Sequence, residues 1–214
     1  MLFRSGGWDS GVLELSGDLS GVTLALPEVR PALSTAQLTP AAAVELGLPP
    51  GIPVCLGAAD SVMGAVGMGV DQPGDIAYVG GTSTIILGIS DRIVTDAHHR
   101  FLVTPMIDGD TWGLEMDLLA TGAAFRWLAH LLSMDGEAAL LESAAKSTSP
   151  APLTFLPYVA PGEQGALWDP TLTGSIHGLS LGHNSDDIAR GLVDGIIVES
   201  RRCLSTLEEH GFPD

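Results

Sequence analysis

DIAYVGGTSTIILGIS, residues 75–90, is the stretch that decides the architecture. Ile76–Val79 and Thr84–Ile89 are runs of branched and aromatic side chains of the kind that favour strands. Between them Gly80, Gly81, Thr82 and Ser83 form a glycine-led connection of hairpin length, so two antiparallel strands are expected. The two glycines permit close backbone approach. The Thr82 and Ser83 hydroxyls, with nearby N–H groups, have the chemistry that surrounds phosphate oxygens. The stretch is not a Walker A loop, because it lacks Gly-Lys-Ser/Thr, and no G-x-G-x-x-G precedes a helix. By itself the pattern is equally an ordinary hairpin turn.

Upstream, Pro73-Gly74-Asp75 is a turn and a candidate boundary dividing the chain into 1–72 and 73–214. IPVCLG (52–57) is an apolar run that predicts a buried strand, and GAADSVMGAVGMGV (57–70) predicts a helix entered at Asp60. Asp60 is the one charge in that segment. A carboxylate there either caps the helix and meets the positive end of its dipole, or acts as a base towards a ligand admitted by Gly57, Ala58 and Ala59. A base at a strand-to-helix junction also stands where open α/β sheets place their ligands. Thr39 followed by Pro40 predicts the start of a short helix over PAAAVEL, stopped at Gly47. Residues 1–35 give little sign of regular structure.

Downstream, HRFLVTPMI (99–107) and TWGLEMDLL (111–119) predict strands, and TGAAFRWLAHLLSM (121–134) predicts a helix with Phe125, Leu128 and Leu132 on its apolar face. SAAKSTSPAP (143–152) is expected to be a loop. Residues 153–183 are rich in turn formers and are expected to be ordered by tertiary contacts. The last helix is capped by Asn184 or Ser185, carries Asp186 and Asp187 in its first turn, and ends at Gly211. Its apolar face is Ile188, Leu192, Ile196, Cys203, Leu204 and Leu207. Gly191 and Gly195, one turn apart within it, each cost about 1 kcal/mol relative to Ala and predict a close neighbour on that side. Strands and helices interleave, so the class is α/β.

The 214 residues can bury roughly 70% of their unfolded surface. A formal charge of −17 argues against a nucleic-acid backbone or an anionic membrane as partner. An anionic ligand would have to be attracted locally, by N–H groups and a metal ion. The two cysteines, Cys55 and Cys203, are expected to be buried free thiols rather than a disulfide. MLFRSGGWDS has no signal-peptide character and no run is long and apolar enough to span a bilayer, so a cytoplasmic location is expected.

Other patterns are weaker. GLSLG (178–182) matches the G-x-S-x-G elbow, with Ser180 central and His183 close by, but that motif needs a strand directly before the serine and a helix starting at it. His98-His99 lack i, i+4 spacing and neither cysteine belongs to a CxxC, so no metal site is expected. His177 and His183 are expected to be structural. Glu115 and Asp117 share one strand face by alternation, as a glycosidase-like pair or as part of a half-buried strand.

Taken in order, GAADSVMGAVGMGV, PGDIAYVGGTSTIILG, ATGAAFRWL and FLPYVAPGEQGALWDPTLTGSIHGLSLGH, followed by a long helix, resemble the FGGY carbohydrate kinases, most nearly their xylulokinase-like branch. GSIHGL and DIARGLVD look like the second family signature, departing from it at Gly191 and Leu192. Gln164 stands where many members have Arg. The resemblance implies an actin-like, ribonuclease H-like fold of two lobes, with ATP and Mg²⁺ in the cleft between them. It implies that Asp60 is the catalytic base and that Gly80, Gly81, Thr82 and Ser83 form the phosphate hairpin. Gly122 matches a glycine near the nucleotide, and Arg126 falls where Gln is frequent. The substrate implied is xylulose or a related ketose, polyol or gluconate, and a homodimer is compatible with the family. The family's opening Asp-x-Gly-Thr hairpin and later Gly-Gly-Gly motif are not in the sequence. The expectation is therefore an internal segment, with 1–72 from the first lobe and 73–214 from the second, having little activity alone. Alternatives are a non-catalytic actin-like interaction module and a serine hydrolase using Ser180.

Overall fold

The computed structural model describes Trp8 and residues 27–149 and 153–213; most of the expectation for residues 1–35 and the Pro150–Pro152 part of the predicted loop lie outside them. Thr35–Gln37 (β1) pairs antiparallel with Pro53–Cys55 (β2), and Pro40–Leu46 (α1) lies between them in sequence. The helix start follows the sequence reading, with the Thr39 side chain accepting from the Ala42 N–H, Pro40 in the first turn and left-handed Gly47 closing the end. The expectation of a buried strand at 52–57 is corrected: Pro53, Val54 and Cys55 are all exposed. Among the described residues strand β2 pairs only with β1, and a two-stranded ribbon by itself buries little of its side chains. Cys55 is exposed for the same reason, whereas Cys203 is a buried free thiol as expected.

Asp60–Gly67 (α2) leads into a four-stranded antiparallel sheet of Ile76–Gly80 (β3), Thr84–Ser90 (β4), Leu102–Pro105 (β5) and Trp112–Leu118 (β6), in the order β3-β4-β6-β5. The hairpin expected from residues 75–90 is present, with Gly80 opposite Thr84 and Ile76 opposite Gly88. Strand β4 is central and covered on both faces, which explains its unbroken apolar run. On one face Val62 and Ala65 of α2 are buried with Ala77, Leu87, Ile89 and Met106. On the other, Ile86, Leu114, Met116 and Leu118 pack with Cys203 and Leu207 of the last helix.

Gly122–Leu131 (α3) and Gly136–Lys146 (α4) follow. Helix α4 corrects the sequence reading, which predicted no helix there and placed 143–146 in a loop. Its buried positions, Leu140, Ser143 and Ala144, are few and mixed in polarity, so the apolar stripe is faint without its neighbours. Thr154–Leu156 (β7) pairs with Ser175–His177 (β8), and turns fill the rest of 153–183. Ser185–Glu209 (α5) is the longest helix described. Asn184 and Asp187 form a full capping box at its start. At its other end Glu209 accepts from Arg100, which also pairs with buried Asp96 and fastens the helix to the sheet's outer loop. Leu192 and Ile196 of α5 meet Leu128 of α3, Leu140 of α4 and Phe155 of β7 in a third core cluster.

The neighbour expected beside Gly191 and Gly195 is strand β7. A Cβ on Gly195 would run into the Phe155 carbonyl oxygen, whereas one on Gly191 would meet the Leu153 Cβ at an ordinary 3.4 Å. Gly195→Ala is therefore expected to destabilise the fold by about 1–3 kcal/mol despite its better helix propensity. Gly191→Ala is expected to be neutral or stabilising by up to about 1 kcal/mol. Urea unfolding of the two variants checks the difference in sign.

Candidate functional site

A helix N-terminus leaves N–H groups unsatisfied, and α3 has no side-chain cap: the side chain of Thr121, which precedes it, accepts from none of its N–H groups. The 80–84 hairpin supplies the acceptors instead. The Gly122 N–H donates to the Gly81 carbonyl at 3.1 Å, and the Ala123 and Thr121 N–H groups donate to the Thr82 carbonyl at 3.0 and 3.3 Å. Beneath them the Thr84 and Thr121 hydroxyls are 2.8 Å apart and buried. The approach is close enough that a Cβ on residue 122 would collide with the Gly81 oxygen, which explains the glycine there.

The clamp consumes the helix's first donors. Within the hairpin the Gly81 N–H donates to the Ser83 carbonyl at 2.8 Å. The Thr82 and Ser83 N–H groups donate to no backbone carbonyl among the described residues, and Gly80, Gly81 and Thr82 are exposed. The hairpin tip thus combines N–H groups that have no backbone acceptor among the described residues with a hydroxyl, a set suited to anion oxygens.

Five of the six residues expected from the sequence to bind a nucleotide line one cavity of about 530 Å³: Gly80, Gly81, Thr82, Gly122 and Arg126. Ser83 is not part of its lining. Arg126 donates from Nη2 to the Thr82 hydroxyl at 3.2 Å and from Nη1 to Glu137 at 2.8 Å. Phe125, Leu141, Val193 and Ile196 form its apolar walls. Glu137 and Leu141 belong to the helix that sequence reading missed, so this wall was not foreseen. The hint available was an Asp-Gly pair at 135–136 followed by Glu137, a possible helix entry with an acid in its first turn.

Asp60 is exposed at the first residue of α2. The simple capping reading is corrected, since the cap position is Ala59; Asp60 accepts from the next N–H, that of Ser61, at 2.9 Å. One turn further on, Gly64 faces the Val79 side chain at 3.8 Å, measured from where its Cβ would stand. The Asp60 charge acts on Asp117, which lies opposite Ile85 at the hairpin end of the sheet, so Asp60 stands towards that end.

The Glu115–Asp117 pair is a half-buried strand face, and the two carboxyls have different surroundings. Glu115 accepts from the Thr104 hydroxyl at 2.8 Å. Asp117 lies opposite Ile85 and forms a β-bridge with Gln164, and its buried Oδ1 has no hydrogen-bond partner among the described residues. Burial, then the charges of Glu115, Glu163 and Asp60, push its carboxyl up to about 6. Sequence reasoning did not link Asp117 to Asp60. Glu163 is buried, accepts from the Gln164 and Gly165 N–H groups at 2.7 Å, and is raised chiefly by burial. Together these bonds fix the 162–165 turn against β6.

Ser180 Oγ does lie 3.0 Å from His183 Nδ1, but both are exposed in a surface turn. Strand β8 ends at His177 and α5 does not start until Ser185, so the strand-serine-helix elbow is not formed. His177 pairs with the Ser175 hydroxyl at 2.9 Å. Among the described residues no group of three or more His, Cys, Asp or Glu side chains is arranged to hold a metal ion. Among them also, no helix is long and apolar enough to cross a membrane.

Residues 76–213 match the model of the C-terminal domain of the FGGY family of carbohydrate kinases. The chain is 30% identical over 171 residues to a gluconokinase of Bacillus subtilis (strain 168), covering 74% of this chain and 33% of that protein. It is similar in structure to the xylulose kinase from Rhodospirillum rubrum, with a TM-score of 0.78 and 30% identity over 97% of this chain and 42% of that one. For the ligand-bound xylulose kinase from Lactobacillus acidophilus the TM-score is 0.81, with 25% identity over 96% of this chain and 41% of that one. The chain spans about a third of the length of the curated relatives that it matches.

The raised Asp117 carboxyl has a consequence for stability. The folded chain holds that proton more tightly than the unfolded chain, so the stability it contributes is fully present below about pH 4 and is lost as the pH rises through about 6. Asp117→Asn is expected to stabilise the fold at pH 7 by on the order of 1 kcal/mol, and to leave it nearly unchanged at about pH 4. Thermal unfolding of both proteins across that range checks this.

Proposed function

The chain belongs to the FGGY family of carbohydrate kinases and carries part of their actin-like, ribonuclease H-like α/β fold, and on that premise we propose that it serves ATP-dependent phosphorylation of a sugar hydroxyl. The activity is proposed for the whole protein that carries this chain, not for the 214 residues alone. On this reading residues 1–72 end the first lobe and 73–214 begin the second. The acceptor class proposed is a ketose, polyol or sugar acid, with xylulose as the first candidate; the similar proteins are named gluconokinase, glycerol kinase and xylulose kinase.

One observation carries the proposal. The donor-rich hairpin, the glycine that it clamps and Arg126 converge on one cavity, with Asp60 towards the same end of the sheet. The cavity suits a nucleotide: hairpin N–H groups and the Thr82 hydroxyl for phosphate oxygens, a guanidinium beside them, and apolar walls for a base.

In the proposed step the sugar hydroxyl oxygen attacks the γ-phosphorus while its proton passes to the Asp60 carboxylate. The bond from that phosphorus to the β,γ-bridging oxygen breaks, and ADP leaves with the electron pair. Asp60 suits this role because it is exposed and stands in the first turn of its helix. The hairpin donors and Arg126 would hold the phosphates and stabilise the charge growing on the leaving oxygen. Mg²⁺ would arrive with the nucleotide and screen its phosphates; among the described residues no group of three or more carboxylate, His or Cys side chains is arranged to hold it.

Asp60→Asn, made in the whole protein, is expected to lower turnover about 10²- to 10⁴-fold, with sugar and ATP affinity nearly unchanged. Steady-state kinetics with xylulose, gluconate and glycerol check this, and undiminished turnover would remove Asp60 as the base. No phosphorylation of any of the three by the unaltered protein would favour the non-catalytic interaction module.

A further inference from the structure

Along one wall of the cavity the chemistry changes in a fixed order. Thr82 stands at the donor-rich hairpin tip, and Arg126 Nη2 donates to its hydroxyl at 3.2 Å. The other arm of the same guanidinium, Nη1, donates to Glu137 Oε1 at 2.8 Å. One helical turn beyond Glu137 on α4 comes Leu141, with Phe125, Val193 and Ile196 also lining the cavity. The order is anion donors, cation, carboxylate, hydrocarbon.

A nucleoside phosphate presents matching groups in the same order: phosphates, then a ribose with two vicinal hydroxyls, then an apolar base face. From this match we propose that Glu137 reads the ribose, taking hydrogen bonds from its 2′- and 3′-hydroxyls, so that the site selects ribonucleotides over their deoxy forms. The inference rests on the nucleotide reading of the cavity and adds to it the part of the ligand that Glu137 meets.

The chemistry of the carboxylate supports this position. An ionised carboxylate only accepts hydrogen bonds, with about four lone-pair sites on two oxygens, and Arg126 engages only Oε1. It repels phosphate and favours hydroxyl donors, which turns the ligand's anionic end towards the hairpin. Arg126 fixes the orientation of the carboxylate. The pair is about half exposed, with side chains 53% and 43% accessible, so it adds little to folding and its place on the cavity wall is the more informative fact. Glu137 lies in the first turn of α4, on a helix separate from the hairpin, and can be changed without touching the clamp at Gly122.

The test is competition binding of ATP, 2′-deoxy-ATP and 3′-deoxy-ATP to the whole protein and to its Glu137→Ala variant. Each deoxynucleotide is expected to bind the unaltered protein about tenfold more weakly than ATP, the effect of losing one hydrogen bond to a charged acceptor. In Glu137→Ala, ATP is expected to weaken by at least that factor and the three ligands to become equivalent. Equal affinity for ATP and both deoxynucleotides in the unaltered protein would overturn the proposal without needing any variant, and would leave the nucleotide reading intact. Discrimination that survives in Glu137→Ala would assign the ribose to another group and overturn it equally. If ATP itself does not bind the unaltered protein, the nucleotide reading falls, and this proposal with it.

Discussion

The rest of the site depends on one close backbone contact: the start of α3 seated on the carbonyls of the 80–84 hairpin. Helix N-termini ordinarily find their acceptors in a side chain a few residues away. Here the acceptors are the Gly81 and Thr82 carbonyls, some forty residues earlier in the chain, and no side chain intervenes. The contact holds two elements in fixed relation, because a hydrogen bond tolerates only a few tenths of an ångström and Gly122 leaves no Cβ to keep the strands' end and the helix apart. With the Gly81 and Thr82 carbonyls engaged by the helix, the hairpin tip keeps its Thr82 and Ser83 N–H groups without a backbone acceptor among the described residues. Arg126, one turn into the helix, is thereby brought within reach of Thr82.

The electrostatics of the region are those of an acidic chain whose proposed anion site is built by local means. The chain carries a net charge of −17, yet the proposed phosphate end of the cavity is built of N–H groups, a hydroxyl and one guanidinium. At physiological salt, charges beyond about 8 Å are largely screened, so the distant acids do not oppose a ligand there. The acids close by are each held by a partner or set apart. Glu137 is paired with Arg126 and Glu115 with the Thr104 hydroxyl, while Glu163 is held by two backbone N–H groups. Asp117 is the exception: burial and neighbouring charges leave its carboxyl raised to about 6, within the electrostatic reach of Asp60. Its position on the strand face beneath α2 makes it a cost of the fold at neutral pH.

Helix α5 joins two of the three core clusters. Its Leu192 and Ile196 pack with α3, α4 and β7, whereas Cys203 and Leu207 pack beneath the sheet. Gly195 brings its first half close to β7, and the Arg100 network ties down its last turn. The helices that wall the cavity and the strands that end in the hairpin are therefore held by the same long element, which keeps the cavity's two sides in register. The β1–α1–β2 segment differs: several of its apolar side chains, among them Leu33, Val44 and Leu56, are exposed.

What the sequence determined by itself was whatever depends on residues within a few positions of one another. The hairpin, the Thr39 and Asn184 caps, the central apolar strand and the order of motifs behind the family resemblance were all legible, because turn chemistry, capping and periodicity are local. The same local logic overreached at 52–57, where an apolar run was read as buried although burial depends on what lies across it. It missed α4, whose faint stripe of Leu140, Ser143 and Ala144 gains meaning only against α3 and α5. The tertiary structure alone brought Glu137 to Arg126, Asp117 towards Asp60, and Gly122 onto Gly81. Contacts of that kind join residues with no regular spacing along the chain, and they form only once the packed layers have closed the loops between them.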